Sequence, residues 1–363
     1  MKKKIKDALF EVDFFIFFGV NLKALLRTKT RRYLRSAVAG VARYKGKKRI
    51  SIVFDMLIKC LCSTGAFHDY YKLRFYDMPV SQARTYLTEA RFAKVQRRLR
   101  SPAVNKLLND KALLLATFSK YAKRDYFIIT EDSLHEELGE FIRRHREFIA
   151  KPNSLNAGRG IERVDSRNYS DAESLLFYLR GKGLALLEEP VKNHRELAKY
   201  SDASLNTVRM MAVRADEGVK IVFACLRFNT NGGITDNVSS GGCACPVDTA
   251  TGRLYKGMTN FGELNGVYAE AHPNGFRFEG EQIPFWPEAV ALVTEMMFAL
   301  QEAFFVAWDI AITDEGPVMI EGNNSTVYSG LGEGLPYEAF HKAYRYAKKC
   351  QEKKKYADVG HIM

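Results

Sequence analysis

The 363-residue chain is 47% apolar and 27% charged, the balance of a soluble globular protein, and is long enough to bury the cores of two or three domains. Its net charge of +13 is concentrated early, since residues 1–48 carry 14 Lys/Arg against three acids, and this favours a polyanionic neighbour. No helix-turn-helix, zinc-finger or RNA-recognition signature accompanies the charge, which argues against a specific nucleic-acid partner.

The apolar run 9–18 follows a basic start and mimics a secretory signal, but Glu11 and Asp13 interrupt it, no small-residue cleavage site follows, and it is too short to span a bilayer. A cytoplasmic protein is the expectation, with the basic, aromatic N-terminus as a means of peripheral contact with the inner face of the membrane. Apolar residues at three- and four-residue spacing between Lys, Arg and Tyr predict several helices and little sheet up to about residue 110. Phe67-His68-Asp69-Tyr70-Tyr71 reads as a packed helix junction, with an aromatic substrate edge as the other reading. The six cysteines include two Cys-x-Cys pairs without the partner spacing of a zinc site, and they read as reduced thiols.

Asn109-Asp110-Lys111 opens a helix, because its acid and amide suit an N-terminus. Residues 127–130 read as a strand, 134–145 as a helix, and 148–151 as a strand ending in Lys151. A loop of small residues containing Ser154, Gly158 and Gly160 follows, and then a returning strand at 161–164. This is a β-hairpin lid and not a Walker loop, which needs Gly-Lys-Ser/Thr opening a helix. Such a lid can lay backbone N–H groups on phosphates, with Lys151 as a fixed cation below it.

A helix at 172–180 leads into a buried strand at 184–191 that runs into Glu188, Glu189 and Pro190. Strands at 207–213 and 220–228 carry Arg209 and Arg227, and the small-residue segment 237–242 would let backbone approach a ligand closely. A helix at 287–303 delivers the chain to Trp308-Asp309-Ile310-Ala311-Ile312, a turn at 314–316, and Val318-Met319-Ile320-Glu321-Gly322-Asn323. Alternation puts Glu321 and Asn323 on one face, and a tight hairpin brings Asp309 over it. Two carboxylates and an amide oxygen suit Mg²⁺, a hard cation with few protein ligands; the other reading is a surface hairpin with solvated acids. Residues 337–355 read as a basic helix, and His194 and His272 as structural.

Taken in order, the helix lysine, the strand-ending lysine before a small-residue lid, the Glu-Glu-Pro-Val hinge and an Asp followed twelve residues later by Glu-x-Asn resemble the ATP-grasp superfamily. The 308–323 run, Asn237 with Gly241-Gly242, and Pro246-Val247-Asp248 with Gly252 look like its sugar-transfer-associated family, which is linked to surface-polysaccharide assembly. The resemblance implies an α/β (α+β) ATP-grasp fold, two α/β subdomains clasping ATP. Its parts would be a basic, mainly helical region 1–105, a first subdomain with the phosphate lid at 106–190, a second with the metal site at 191–335, and a basic C-terminal helix at 336–363.

It also implies roles. Lys111 and Lys151 would hold the α- and β-phosphates, with the lid 154–160 closing over them. Glu188 and the backbone of Glu189 and Val191 would read the adenine edge, and Glu196 would meet the ribose. Asp309, Glu321 and Asn323 would bind two Mg²⁺ ions, while Arg209 and Arg227 would neutralise the transferring phosphate or hold an acceptor carboxylate. Two departures stand out: Ala307 occupies a position where several ligases carry a basic residue, and Asn324-Ser325-Thr326 lacks the Arg that some members use, which leaves the oxyanion to Arg227 or to groups the sequence does not identify. The implied activity is ATP-dependent carboxylate–amine ligation through an acyl phosphate, on amino-acid or sugar-linked substrates. A kinase acting on a hydroxyl is the alternative, a non-catalytic nucleotide-binding module is the third reading, and the oligomeric state is left open.

Overall fold

The computed structural model of the chain describes residues 14–99, 101–153, 158–201, 203–238, 241–259, 269–324 and 334–360. Its N-terminal part is helical: α1 (Phe14–Leu26), α2 (Thr28–Lys45), α3 (Arg49–Ser63) and α4 (Phe67–Lys72). Three- and four-residue spacing gives each of α2 and α3 an apolar stripe. Leu34, Val38 and Val41 meet Ile52, Met56 and Cys60 there, together with Phe67, Tyr70 and Tyr71 of α4, in a core of their own. The 67–71 segment is therefore the packed junction. Asn21 of α1 ties this corner together, donating to the Gly65 carbonyl at 3.1 Å and accepting from the Phe67 amide at 2.7 Å.

Next come α5 (Glu89–Leu99), α6 (Pro102–Asn109) and α7 (Lys111–Thr117). Asp110 caps α7 by accepting from the Leu113 amide at 2.9 Å, as the sequence requires of that position. Strands β1 (Tyr126–Ile128), β2 (Glu147–Lys151), β3 (Glu162–Asp165) and β4 (Leu186–Glu188) form a small antiparallel sheet in the order β1-β4-β2-β3. Helices α8 (His135–Arg144) and α9 (Ala172–Gly181) cover one face of it, where Leu138, Phe141, Leu175 and Leu179 pack on Phe148, Ala150 and Leu187. Because side chains alternate, Ile149, Lys151, Leu186 and Glu188 are left for the opposite face.

The larger sheet comprises β5 (Thr207–Ala215), β6 (Gly218–Phe228), β7 (Cys243–Val247), β8 (Phe305–Thr313) and β9 (Gly316–Asn323), all antiparallel, in the order β7-β6-β5-β8-β9. One face packs on α10 (Trp286–Ala299): Val208, Met210, Leu226, Trp308 and Ile310 meet Leu292, Val293, Met296 and Met297. Helices α6 and α7 join this core through Leu108, Leu114 and Leu115, although they precede the small sheet in sequence. The other face changes character along its length. Met211, Val213, Phe223, Cys225 and Ala307 pack on α5 and on α11 (Tyr337–Gly360) through Phe340, Ala343 and Ala347. Two residues further along the same strands stand Arg209, Arg227 and Asp309. A buried Leu or Phe is worth roughly 1.5–3 kcal/mol, so a charged end on an otherwise apolar face is there for something other than stability.

The strand β7 is absent from the sequence reading, because its five residues are all buried and show no alternation. The six cysteines are unpaired, as expected. The segment at Gly242 is a different matter. A Cβ there would lie 2.4 Å from the Asp236 carbonyl oxygen, so at this residue the close approach is to the chain itself, while Asn237 at the start of the segment lines the cleft described below.

Candidate active site

The outer face of the small sheet and the charged end of the large one face each other across an open cleft. Lys111 reaches it from the first turn of α7, Lys151 and Glu188 from β2 and β4, and Asp309, Glu321 and Arg227 from the large sheet. The two lysines are physically linked. Asn153, just beyond β2, accepts from the Lys111 amide through its carbonyl (3.3 Å) and from the Ala112 amide through its side chain (2.9 Å), so α7 begins where β2 ends.

Glu188 is buried between two cations: its Oε1 is 2.8 Å from the Lys151 Nζ and its Oε2 accepts from the Arg124 Nε at 2.6 Å. Burial alone would raise its pKa, but Arg124 and Lys151 outweigh that and hold it at about 2. Arg124 also donates to the Met319 carbonyl of β9 at 2.6 Å, so one side chain spans from the small sheet to the large one. Sequence reading missed Arg124. Its partners lie 64 and 195 residues away, and nothing local marks it.

At the other end, β8 and β9 pair Asp309 with Glu321, and a register shift between Asp309 and Ile310 adds one residue to β9 at Ile320. Asp309 is 2% exposed and accepts a fork from Arg209, Nε to Oδ1 at 2.6 Å and NH2 to Oδ2 at 2.7 Å. Arg227 adds a third contact at 3.1 Å to Oδ2 and reaches Asp236 at 3.2 Å. Burial opposes the Asp309 charge, yet the two arginines hold its pKa below the ordinary carboxylate value. Asp236 goes the other way: burial raises it more than Arg227 and the Thr207 hydroxyl lower it. Arg227 donates to Thr207 Oγ1 at 2.7 Å, and the Thr207 hydroxyl donates to Asp236. Asp236 and Thr207, both lining the cleft, were also missed.

Glu321 accepts from the Lys111 Nζ at 2.7 Å, and the Asn323 amide nitrogen approaches Asp309 Oδ2 at 3.5 Å, two contacts that stand side by side on the paired strands β8 and β9. Every donor atom in the Asp309, Glu321 and Asn323 set offered to a cation is oxygen, which fits Mg²⁺ and not a soft metal. Of the remaining expected residues, Gly158, Glu189 and Val191 line the cleft. Gly158 has φ of +69°, and a Cβ on it would lie 2.8 Å from the Asn237 side chain, so the β2–β3 hairpin touches the large-sheet side here. Gly160 has φ of +73° and lies off the lining. Glu196 is exposed and also off the lining, and Arg209 stands behind Asp309. Ser154 and residues 155–157 lie outside the described residues. His194 and His272 are buried structural groups: His194 Nδ1 accepts from the Glu196 amide at 3.1 Å, and His272 stacks on Phe276 with centroids 4.6 Å apart.

A profile of the sugar-transfer associated ATP-grasp proteins matches residues 93–336. No curated protein is similar enough to count as a relative. Among solved structures, similarity extends to a D-alanine–D-alanine ligase from Bacillus anthracis (13% identity, 68% of this chain and 70% of that one, TM-score 0.40). It extends also to the ATP-grasp ligase PsnB complexed with a minimal precursor (13%, 75% and 71%, 0.39) and to an N5-carboxyaminoimidazole ribonucleotide synthetase from Thermus thermophilus (14%, 62% and 47%, 0.37). The match spans less than half the length of the last of these.

Proposed function

The chain belongs to the sugar-transfer associated ATP-grasp family and is thus an ATP-dependent enzyme, and from that premise we propose that it joins a carboxylate to an amine through an acyl phosphate. The observation that carries this reading is the cleft that gathers Lys111, Lys151 and Arg227 against Asp309 and Glu321 from helix α7 and two facing sheets. A nucleoside triphosphate needs such cations, and a transferring phosphoryl group needs positioning and charge neutralisation more than covalent chemistry.

In this reading the adenine edge lies at the Glu188-to-Val191 hinge, and Lys151 and Lys111 hold phosphates. Asp309, Glu321 and Asn323 would hold Mg²⁺, which when bound offsets charge on the β- and γ-phosphates. Lys111 is then shared between Glu321 and the nucleotide. Arg209 positions Asp309, and Arg227, whose guanidinium borders the cleft, receives the acceptor carboxylate. The carboxylate oxygen takes the γ-phosphoryl group, releasing ADP; the amine then attacks the acyl carbon, losing a proton and expelling phosphate. The substrates are small amino-acid or sugar-linked acids and amines used in cell-surface polysaccharide assembly.

Hydroxylamine tests the intermediate. Enzyme, Mg-ATP and an acid that stimulates ADP release should yield a hydroxamate, because this small nucleophile replaces the amine. Accumulation of a stable phosphomonoester without hydroxamate would instead assign a hydroxyl kinase.

A further inference from the structure

Helices α1 and α3 each carry apolar side chains on two faces. Phe17 of α1 and Ile52, Met56 and Cys60 of α3 face the N-terminal core. On α1, Phe18, Leu22, Leu25 and Leu26 are exposed, the first at 63% and the last at 73%. On α3, Ile50, Phe54, Leu57 and Ile58 are exposed, with Phe54 at 60%. Both sets follow the spacing i, i+4, i+7, i+8, so each makes one outward stripe. The two helices touch each other, and α2 packs against both.

The charge around these stripes is overwhelmingly positive. Residues 14–58 contain 11 Lys/Arg and one acid, Asp55, which pairs with Lys59 at 2.9 Å, and Arg31, Arg32, Arg35, Lys47, Lys48 and Arg49 are all exposed. Apolar stripes flanked by cations are what an interfacial helix presents to a bilayer, with aromatic and aliphatic groups entering the acyl boundary and cations meeting anionic headgroups. A second copy of the chain would bring two such cationic segments together, and a nucleic acid would leave eight exposed apolar side chains without a role. No helix among the described residues is long and apolar enough to cross a membrane, so contact would be made from the surface. The family match begins at residue 93, so this face lies outside the ATP-grasp portion.

We propose that the outward stripes of α1 and α3, with the basic residues between them, dock this chain on an anionic lipid bilayer. The docking is independent of the reaction proposed above. Sedimentation of the full chain with phosphatidylcholine vesicles, with and without phosphatidylglycerol, tests it. Binding should require phosphatidylglycerol and weaken in about 1 M salt, where the screening length falls to about 3 Å. Each of Arg31→Gln, Arg32→Gln and Arg35→Gln should lower partitioning about fivefold, and Phe54→Ser on the order of tenfold. Circular dichroism of each variant should match the parent, since all four side chains are exposed. An Ile58→Trp variant gives an independent readout: its emission should be quenched by brominated lipid. No binding to anionic vesicles, or equal binding to neutral ones, would overturn the proposal. So would a dimer that Phe54→Ser converts to a monomer, or retention of a duplex RNA that Phe54→Ser leaves unchanged.

Discussion

Glu188 shows how much a single side chain can be asked to do. It is a buried carboxylate whose charge depends on Arg124 and Lys151, and breaking a buried pair by removing one partner costs about 3–5 kcal/mol. Arg124→Ala should therefore lower stability by about 3 kcal/mol in denaturant unfolding. It should also weaken Mg-ATP binding, because it frees the hinge strand β4 and the Met319 carbonyl of β9 together; a variant with parental stability and nucleotide affinity would show that the bridge is idle. The pH dependence follows from the sign of the shift. Glu188 sits at about 2 in the fold against an ordinary 4.5, so its contribution is complete above about pH 4.5 and is lost as pH falls through about 2. Replacement of Glu188 by Gln should flatten the stability profile across that window. The acids of the hairpin differ in the same way. Asp309 neutralises two buried arginines, so Asp309→Asn should abolish turnover and also destabilise the chain. The Glu321 side chain is 28% exposed, so Glu321→Gln should abolish turnover with little change in Tm, and it is the cleaner test.

At the scale of elements, what could be read from sequence was whatever a local pattern encodes. The β8–β9 hairpin follows from turn chemistry and two apolar runs, but plain register would set Asp309 opposite Ile320, and its pairing with Glu321 needs the extra residue that the register shift admits. The glycine between Glu321 and Asn323 has a reason that only packing reveals: a Cβ there would lie 2.8 Å from Leu108 and 2.9 Å from Trp308. Arg124, Asp236 and the crossing of α7 onto the large-sheet core were illegible because each is defined by a partner far along the chain. So was the exposed position of Glu196, off the cleft lining. The link between α7 and β2 leads to a prediction of its own. Asn153→Ala removes a side-chain cap worth about 1 kcal/mol, yet it should reduce ATP affinity more than that stability loss suggests, because Lys111 and Lys151 would no longer be held in one frame. Titration of nucleotide against the variant, compared with its unfolding midpoint, checks this; equal small effects would make Asn153 a cap and nothing more. Hydrogen exchange should likewise slow at Gly158-Arg159-Gly160 and along β3 when Mg-ATP binds, since Gly158, Ile161 and Arg163 line the cleft on the hairpin side.

For the whole molecule, the arrangement of cores matters more than their size. The α1–α4 core contacts the remainder chiefly through residues 85–91, where the Leu87 amide donates to the Leu335 carbonyl, the Thr88 hydroxyl to the Thr64 carbonyl, and the Glu89 amide to Asp69. The described residues that line the cleft, by contrast, all fall between 111 and 321. A ligand that binds only the folded cleft stabilises what must be folded to form it, by about 2.7 kcal/mol at 100 times its Kd. Calorimetry with saturating Mg-ATP should therefore move the transition of the two-sheet part upward and leave that of the helical N-terminal part where it was. Anionic vesicles should do the reverse, shifting only the N-terminal transition. If nucleotide raised a single transition for the whole chain, the contacts at 85–91 would couple the cores into one cooperative unit, and lipid contact at α1 and α3 would then be felt at the ATP cleft.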